Sequence, residues 1–179
     1  AITAIPPFAG FFSKDSIIEA VYESHVSGAF FAYSCLLIGA FVTALYSFRA
    51  LFLAFYGKER MDAETRSHLH ESPLAITLPL VCLAIPSVLL GIVMVGSMLF
   101  SQPGLLGQSI PTVPELDVLA ELATHYHGVW LMMWHGLFGL AFWFTMAGLA
   151  TAWYCYIKHP ELPKMFAERF STIRYVLLK

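Results

Sequence analysis

Charge is what this sequence has least of. Aspartate, glutamate, lysine and arginine make up only 12% of its 179 residues, against roughly 25% in an ordinary soluble domain. That scarcity excludes a conventional water-facing surface, and no nucleic-acid partner is expected. Cysteine is scarce too. Cys35, Cys82 and Cys155 lie in separate apolar runs, without metal-ligand spacing and without even pairing, and read as small buried or lipid-facing residues. No signal peptide is expected here, since neither a basic segment nor a cleavage pattern precedes the first apolar stretch. Residues 1–12 read like the middle of something, so the chain is expected to be a fragment or a processed product of a longer protein.

What is abundant is hydrocarbon. Hydrophobic residues reach 58% and mean hydropathy is +0.70, which places the chain in the membrane class. Crossing the bilayer core takes about 20 apolar residues, and three runs qualify. Residues 28–56 carry Arg49 as their only charge; residues 73–100 are uncharged but hold Pro79 and Pro86; residues 128–157 carry His135. Lipid offers no hydrogen bonds, so each run must satisfy its own backbone and is predicted to be a helix. The two prolines predict a kink. Trp130 and Trp134 near one end of the third run, with Trp153, Tyr154 and Tyr156 near the other, fit interfacial aromatic belts.

The connections set a direction. Eight of the ten basic residues fall in residues 57–72 and in the tail from Lys158 onward, and residues 101–127 hold none. The positive-inside rule puts residues 57–72 and 158–179 in the cytoplasm and residues 101–127 in the periplasm. The bacterial plasma membrane is preferred over the mitochondrial inner membrane, where the basic side would be the matrix. Within the outer connection, "VPELDVLAELATH" predicts a short amphipathic helix. In the tail, Phe166, Phe170, Ile173 and Leu177 recur on one helical face. Pro163 suits the first turn, and residues 161–179 are read as an amphipathic helix lying at the interface or along neighbouring subunits.

The opening stretch, "IPPFAGFFSKDSIIEA", remains. Pro6 and Pro7 remove two backbone donors, and Gly10 permits unusual backbone angles. Ser13 then offers an N-cap, with Phe12 packing on Ile17 as a hydrophobic staple. The prediction is the second half of a broken transmembrane helix, over residues 13–26, rising about 18 Å between Ser13 and Ser24. Lys14 and Asp15 would then sit near the bilayer midplane, where an interrupted helix is the usual architecture of an ion or substrate pathway. Burial and the positive end of a helix both disfavour a charged lysine, and a neighbouring carboxylate favours it. A lysine balanced in this way can gain and lose a proton. Asp15, Glu19 and Glu23 recur every four residues, a stepping path towards the outer surface.

Each of these residues also has a plainer reading. Lys14 could snorkel to an interface. Glu19 and Glu23 could simply be wet at the outer end of the half-helix. Arg49 lies about 12 Å by helix rise from Gly57, so reaching the headgroups competes with a relay role. His135 could pack by hydrogen bonding or relay protons. The pairs His68/His70 and His125/His127 resemble weak metal ligands that nothing completes, so no metal is expected.

With these residues in view a resemblance emerges. "IPPFAGFFSKDSI", "GAFVTALYSFRALFLAFYGKER" and "HLHESPLAITLPLVCLAIPSVLLG" resemble the antiporter-like membrane subunits of respiratory complex I: the L subunit of bacterial NADH:quinone oxidoreductase and subunit 5 of mitochondrial NADH dehydrogenase. The string "FAGFFSKD" is shared with the large subunit of multisubunit sodium/proton antiporters. The resemblance is strong over residues 1 to about 100 and rests on layout beyond that. It implies inverted repeats, each with a broken helix, and a lateral amphipathic helix. The family's channel lysine falls on Lys14 with Asp15 beside it. Residues 1–157 would be the C-terminal part of the transmembrane bundle and 158–179 the start of the lateral helix.

The resemblance further implies a proton-translocating role driven by quinone reduction elsewhere. The partners would be the other membrane-arm subunits and the lipid bilayer. NADH, FMN, iron–sulfur clusters and quinone would all be bound by partner subunits, and no cofactor by this chain. The fold class expected is thus all-α integral membrane, with proton transfer at Lys14 and Asp15, a helix break at Pro6, Pro7 and Gly10, and candidate relay positions at Glu19, Glu23, Arg49 and His135. A sodium/proton antiporter subunit and a purely structural membrane scaffold are the alternatives.

Overall fold

The computed structural model describes residues 1–57, 61–68, 70–101, 117–170 and 175. Among these, every regular element is a helix: α1 (Ala9–Tyr22), α2 (Ala29–Phe55), α3 (Ala63–Ser67), α4 (Leu74–Val95), α5 (Val118–His125), α6 (Val129–Phe138), α7 (Leu140–Trp153) and α8 (Leu162–Arg169). α4 and α7 run on into π-helical turns at Gly96–Phe100 and Tyr154–Lys158. Three stretches, Ala29–Phe55, Leu74–Phe100 and Leu140–Lys158, are long and apolar enough to cross a membrane. Within their most apolar windows only 17%, 11% and 17% of residues are buried, so most of this apolar surface needs hydrocarbon or other protein around it. The chain is part of a multi-pass membrane protein.

Two expectations need correction. The first concerns where the opening helix begins. α1 starts at Ala9 instead of Ser13, after Phe8 in extended conformation, and has no side-chain cap. Gly10 therefore lies inside the first turn, and the Ser13 hydroxyl donates to the Gly10 carbonyl at 3.4 Å instead of capping. The hydrophobic staple is also absent, since Phe12 is 1% exposed and Ile17 55%. The cause is the solvent: in lipid each non-helical residue leaves polar backbone without a partner, so the helix resumes as soon as the prolines are passed. Residues 1–8 close their own turns, Ala4 N–H on Ala1 carbonyl and Phe8 N–H on Ile5 carbonyl, both at 3.1 Å. α1 ends at Tyr22, short of residue 26, and its 14 residues span about 21 Å.

The second correction concerns residues 128–157, expected as one rod. The rod is interrupted at Gly139, which is extended (φ −65°, ψ 149°) between α6 and α7. The Gly139 N–H is held by the carbonyls of His135 and Gly136, both at 3.1 Å, and Trp143 N–H reaches back to the Gly139 carbonyl at 3.4 Å. Two glycines three residues apart weaken the helix at this point, and α1 packs against the first of them. The 10-residue α6 is too short to cross alone; the 19 residues from Leu140 to Lys158 are not.

α2 and α7 form the tightest pair in the bundle. Ala44 of α2 is buried against Gly148 of α7, and Ala40 and Ala152 are buried too, the small-residue packing expected where lipid supplies no hydrophobic drive between helices. A Cβ added at Gly148 would run into the Phe41 carbonyl oxygen and lie 2.9 Å from Ala44 Cβ. α1 packs across α4 in the same manner, with Gly91 receiving Ala9 and Phe12. Phe11, Phe12 and Val95 form the buried cluster there. Positive-φ glycines, Gly28 (98°) and Gly128 (109°), turn the chain into α2 and α6; only glycine takes such angles without strain.

The connections carry short capped helices. Asp62 accepts from Thr65 N–H at 3.0 Å to start α3, and Asp117 from Ala120 N–H at 3.1 Å to start α5. Hydrogen bonds from Thr65, by its side chain first and then its backbone N–H, hold the exposed Asp62 carboxyl below its ordinary range. α5 matches the amphipathic helix expected in the outer connection, with Leu122 buried; the preceding residues 113–116 lie outside the described set. In the tail, α8 begins with Pro163 in its first turn. Phe166 and Phe170 stack in parallel on the expected face, 6.3 Å apart. Ile173 and Leu177 lie outside the described residues, as do Lys58 and Arg60 of the basic connection.

Candidate functional site

The site is built where α1 meets α2, α6 and α7. Lys14 and Asp15 occupy the second turn of α1 and are both half-buried. Neighbours on a helix diverge by about 100°, so the two side chains face different surroundings. Lys14 lines a small cavity, about 10 Å³, with Ala40, Phe142 and Thr145. Ala40 is two residues from the centre of the 27-residue α2, about 17 Å by helix rise from that helix's start. Lys14 is therefore level with the middle of a full span.

Asp15 lies in the wall of that cavity and of two others. One, about 200 Å³, adds Glu19, Tyr33, His135 and Gly139. The other, about 60 Å³, adds Glu19, His125, His127 and His135. A cavity needs only some 10–15 Å³ to hold a water molecule, so both of the larger ones are roomy and polar enough for several. Glu19 is within electrostatic reach of His135, Glu23 and His125. The carboxylate ladder along α1 thus leads into a histidine-lined space.

The interruption at Gly139 belongs to this site. Gly136 is buried against α1: a Cβ there would strike the Phe11 ring and lie 2.8 Å from Asp15 Oδ2. Only a hydrogen lets the carboxylate come so close. Leu140 and Ala141, at the start of α7, share the 200 Å³ cavity with Asp15. First-turn N–H groups of a helix have no partner within it and carry partial positive charge. Asp15 and this first turn border the same cavity. Buried hydroxyls nearby are satisfied within their own helices: Ser16 donates to the Phe12 carbonyl at 2.8 Å and Thr145 to the Ala141 carbonyl at 3.0 Å.

The other candidates are placed unequally. His135 joins Asp15 and Glu19 in both larger cavities. Glu23 caps the end of α1 with its backbone and adjoins Glu19. Arg49 is elsewhere: its guanidinium lies over the Tyr156 ring at 5.7 Å, where α2 meets the end of α7. Lys158 similarly covers Trp153 at 5.0 Å. Among the described residues no group of three or more histidine, cysteine or acidic side chains is arranged to hold a metal. Sequence reasoning missed Gly136 and Gly139, whose spacing inside an apolar run was the available signal. It weighed His125 and His127 only as metal ligands.

No protein-family model matches the chain. Among curated proteins it is 35% identical, over 197 aligned positions, to NADH-quinone oxidoreductase subunit L of Neisseria meningitidis serogroup B, an alignment covering all of this chain and 29% of that relative. It is 46% identical over 86 residues to subunit L of Rhodobacter capsulatus, covering 48% of this chain and 12% of the relative. It is 40% identical over 91 residues to NADH-ubiquinone oxidoreductase chain 5 of Dictyostelium citrinum, covering 51% and 14%. The chain thus spans less than a third of the length of these relatives.

Proposed function

Taking the chain as a relative of NADH-quinone oxidoreductase subunit L, we propose that it is part of a proton-translocating membrane subunit of respiratory complex I. Its partners are the other membrane-arm subunits, which with the rest of the complex hold NADH, FMN, iron–sulfur clusters and quinone. It sits in a bacterial plasma membrane with residues 57–72 and 158–179 on the cytoplasmic side and 101–127 on the periplasmic side. Lys14 holds a proton at mid-membrane and releases it to Asp15 when charge changes elsewhere in the complex make the ammonium form unfavourable. Asp15 passes the proton to Glu19, beside Glu23 and His135, towards the outer face. Arg49, over Tyr156, anchors the cytoplasmic end of α2.

The observation that carries this reading is the position of Asp15, in the walls of three adjoining cavities, one of them shared with Lys14. A membrane-buried carboxylate that served packing alone would be costly to keep. The test is Lys14→Ala in the full-length subunit within the intact complex, reconstituted in vesicles. Expected is normal quinone reduction in the presence of uncoupler and fewer protons moved per electron pair. An unchanged proton-to-electron ratio would refute it.

A further inference from the structure

The connection between α5 and α6 brings three imidazoles to one cavity. His125 ends α5, His127 follows two residues later, and His135 comes from the last turn of α6; all three line the space of about 60 Å³ that Asp15 and Glu19 also border. His127 Nδ1 lies 2.7 Å from the His125 carbonyl oxygen. A carbonyl only accepts, so Nδ1 carries the hydrogen and Nε2 is left as a bare acceptor. The corner itself is fixed. Tyr126, between the two histidines, stacks on Phe100 at 4.4 Å with 19° between the rings, and Gly96 leaves room for its hydroxyl, since a Cβ there would lie 2.9 Å from it. Two histidines are thereby held at the rim of a water-sized space that leads to two carboxyl groups.

We propose that His125, His127 and His135 form the outward leg of the proton path, taking protons from Glu19 and delivering them to water at the outer surface. This rests on the proton-translocating reading above. The steps balance simply. A Glu19 carboxyl gives its proton, directly or through water, to the Nε2 of a neutral imidazole, leaving a carboxylate and an imidazolium. The imidazolium gives a proton to bulk water and returns to neutral. Imidazole suits the task because its ordinary pKa, about 6.5, lets it hold and release protons near neutrality, whereas a carboxylate alone releases them slowly into apolar surroundings. Asp15, Glu19, Tyr126 and the three histidines are the titratable groups that line this cavity.

The test uses the complete complex in vesicles with the combined variant His125→Ala, His127→Ala, His135→Ala. Electron transfer with uncoupler reports assembly. Without uncoupler, proton pumping should fall about a hundredfold, the low end of what a positioned proton-transfer group contributes. Free imidazole added on the side facing the cavity should restore most of it, because a small base can enter the vacated space. A purely structural role would not respond to imidazole. Undiminished pumping in the triple variant, or a loss that imidazole leaves untouched, overturns the proposal. Lys14→Ala in the same vesicles separates the two readings. If it abolishes pumping while the histidine variant pumps normally, only the outward leg fails; if Lys14→Ala pumps normally, the underlying reading fails first.

Discussion

Gly136→Ala adds one methyl group, and two effects of that methyl oppose each other. In a helix interior, alanine is favoured over glycine by about 0.5–1 kcal/mol, so propensity alone predicts a more stable protein. Packing predicts the reverse. The new Cβ would strike the Phe11 ring and lie 2.8 Å from Asp15 Oδ2, several tenths of an ångström inside ordinary contact. Phe11 is itself buried at 3% exposure, so its ring has nowhere to swing. Overpacking of this kind costs about 1–3 kcal/mol. The net expectation is a destabilisation of about 1–2 kcal/mol together with displacement of the Asp15 carboxylate. If half of that energy appears as a misplaced proton acceptor, pumping slows roughly two- to fivefold, at tenfold per 1.36 kcal/mol. The assay pairs proton-pumping rate in vesicles with thermal denaturation of the purified complex. A variant at least as stable as the parent, with an unaltered pumping rate, would refute the claim that Gly136 exists to admit Asp15.

Gly148→Leu should weaken the α2–α7 contact by about 1–3 kcal/mol or more, since even its Cβ meets backbone of α2; a lower unfolding midpoint of the purified complex in detergent checks it, and an unchanged midpoint counts against the packing described. The Asp62 cap gives a pH signature outside the membrane. Its folded carboxyl is held low by Thr65, so its contribution to α3 is present above the ordinary carboxylate range and is lost as pH falls through the folded value. The protection factor of the Thr65 amide, with exchange corrected for its intrinsic pH dependence, should fall on acidification in the parent and be low at all pH values in Asp62→Ala; equal protection in both would exclude the cap.

The membrane class and the three spans were legible because they follow from composition and run length, which are properties of the chain itself. Loss of backbone hydration in lipid leaves an apolar run of that length little choice but helix. Two details were not legible, for different reasons. The start of α1 was misplaced because soluble-protein capping logic favoured Ser13, whereas apolar surroundings drive the helix to resume at Ala9. The break at Gly139 was missed because Gly136 and Gly139 cost only about 1 kcal/mol each by propensity; what turns that weakness into an interruption is α1 pressing Phe11 and Asp15 against Gly136, a contact between residues far apart in sequence. The same distance in sequence kept His125 and His127 from being read together with Glu19.

The starts of α1 and α7 are best understood together. A helix that restarts inside a bilayer leaves a first turn of N–H groups, and these must be covered by protein or water. Here α1 begins after Pro6 and Pro7, α7 restarts after Gly139, and Asp15 stands in the cavity at the start of α7. The carboxylate has room for water beside it. An ion pair with a neighbouring lysine would be a poor carrier, because breaking a buried pair costs about 3–5 kcal/mol. Lys14 avoids that trap by sequence adjacency: consecutive positions on a helix do not face each other, and Lys14 looks towards Ala40 and Thr145 while Asp15 also opens onto the wider cavities. The two side chains share the small cavity and diverge beyond it, an arrangement that fits the relay proposed above better than a structural salt bridge.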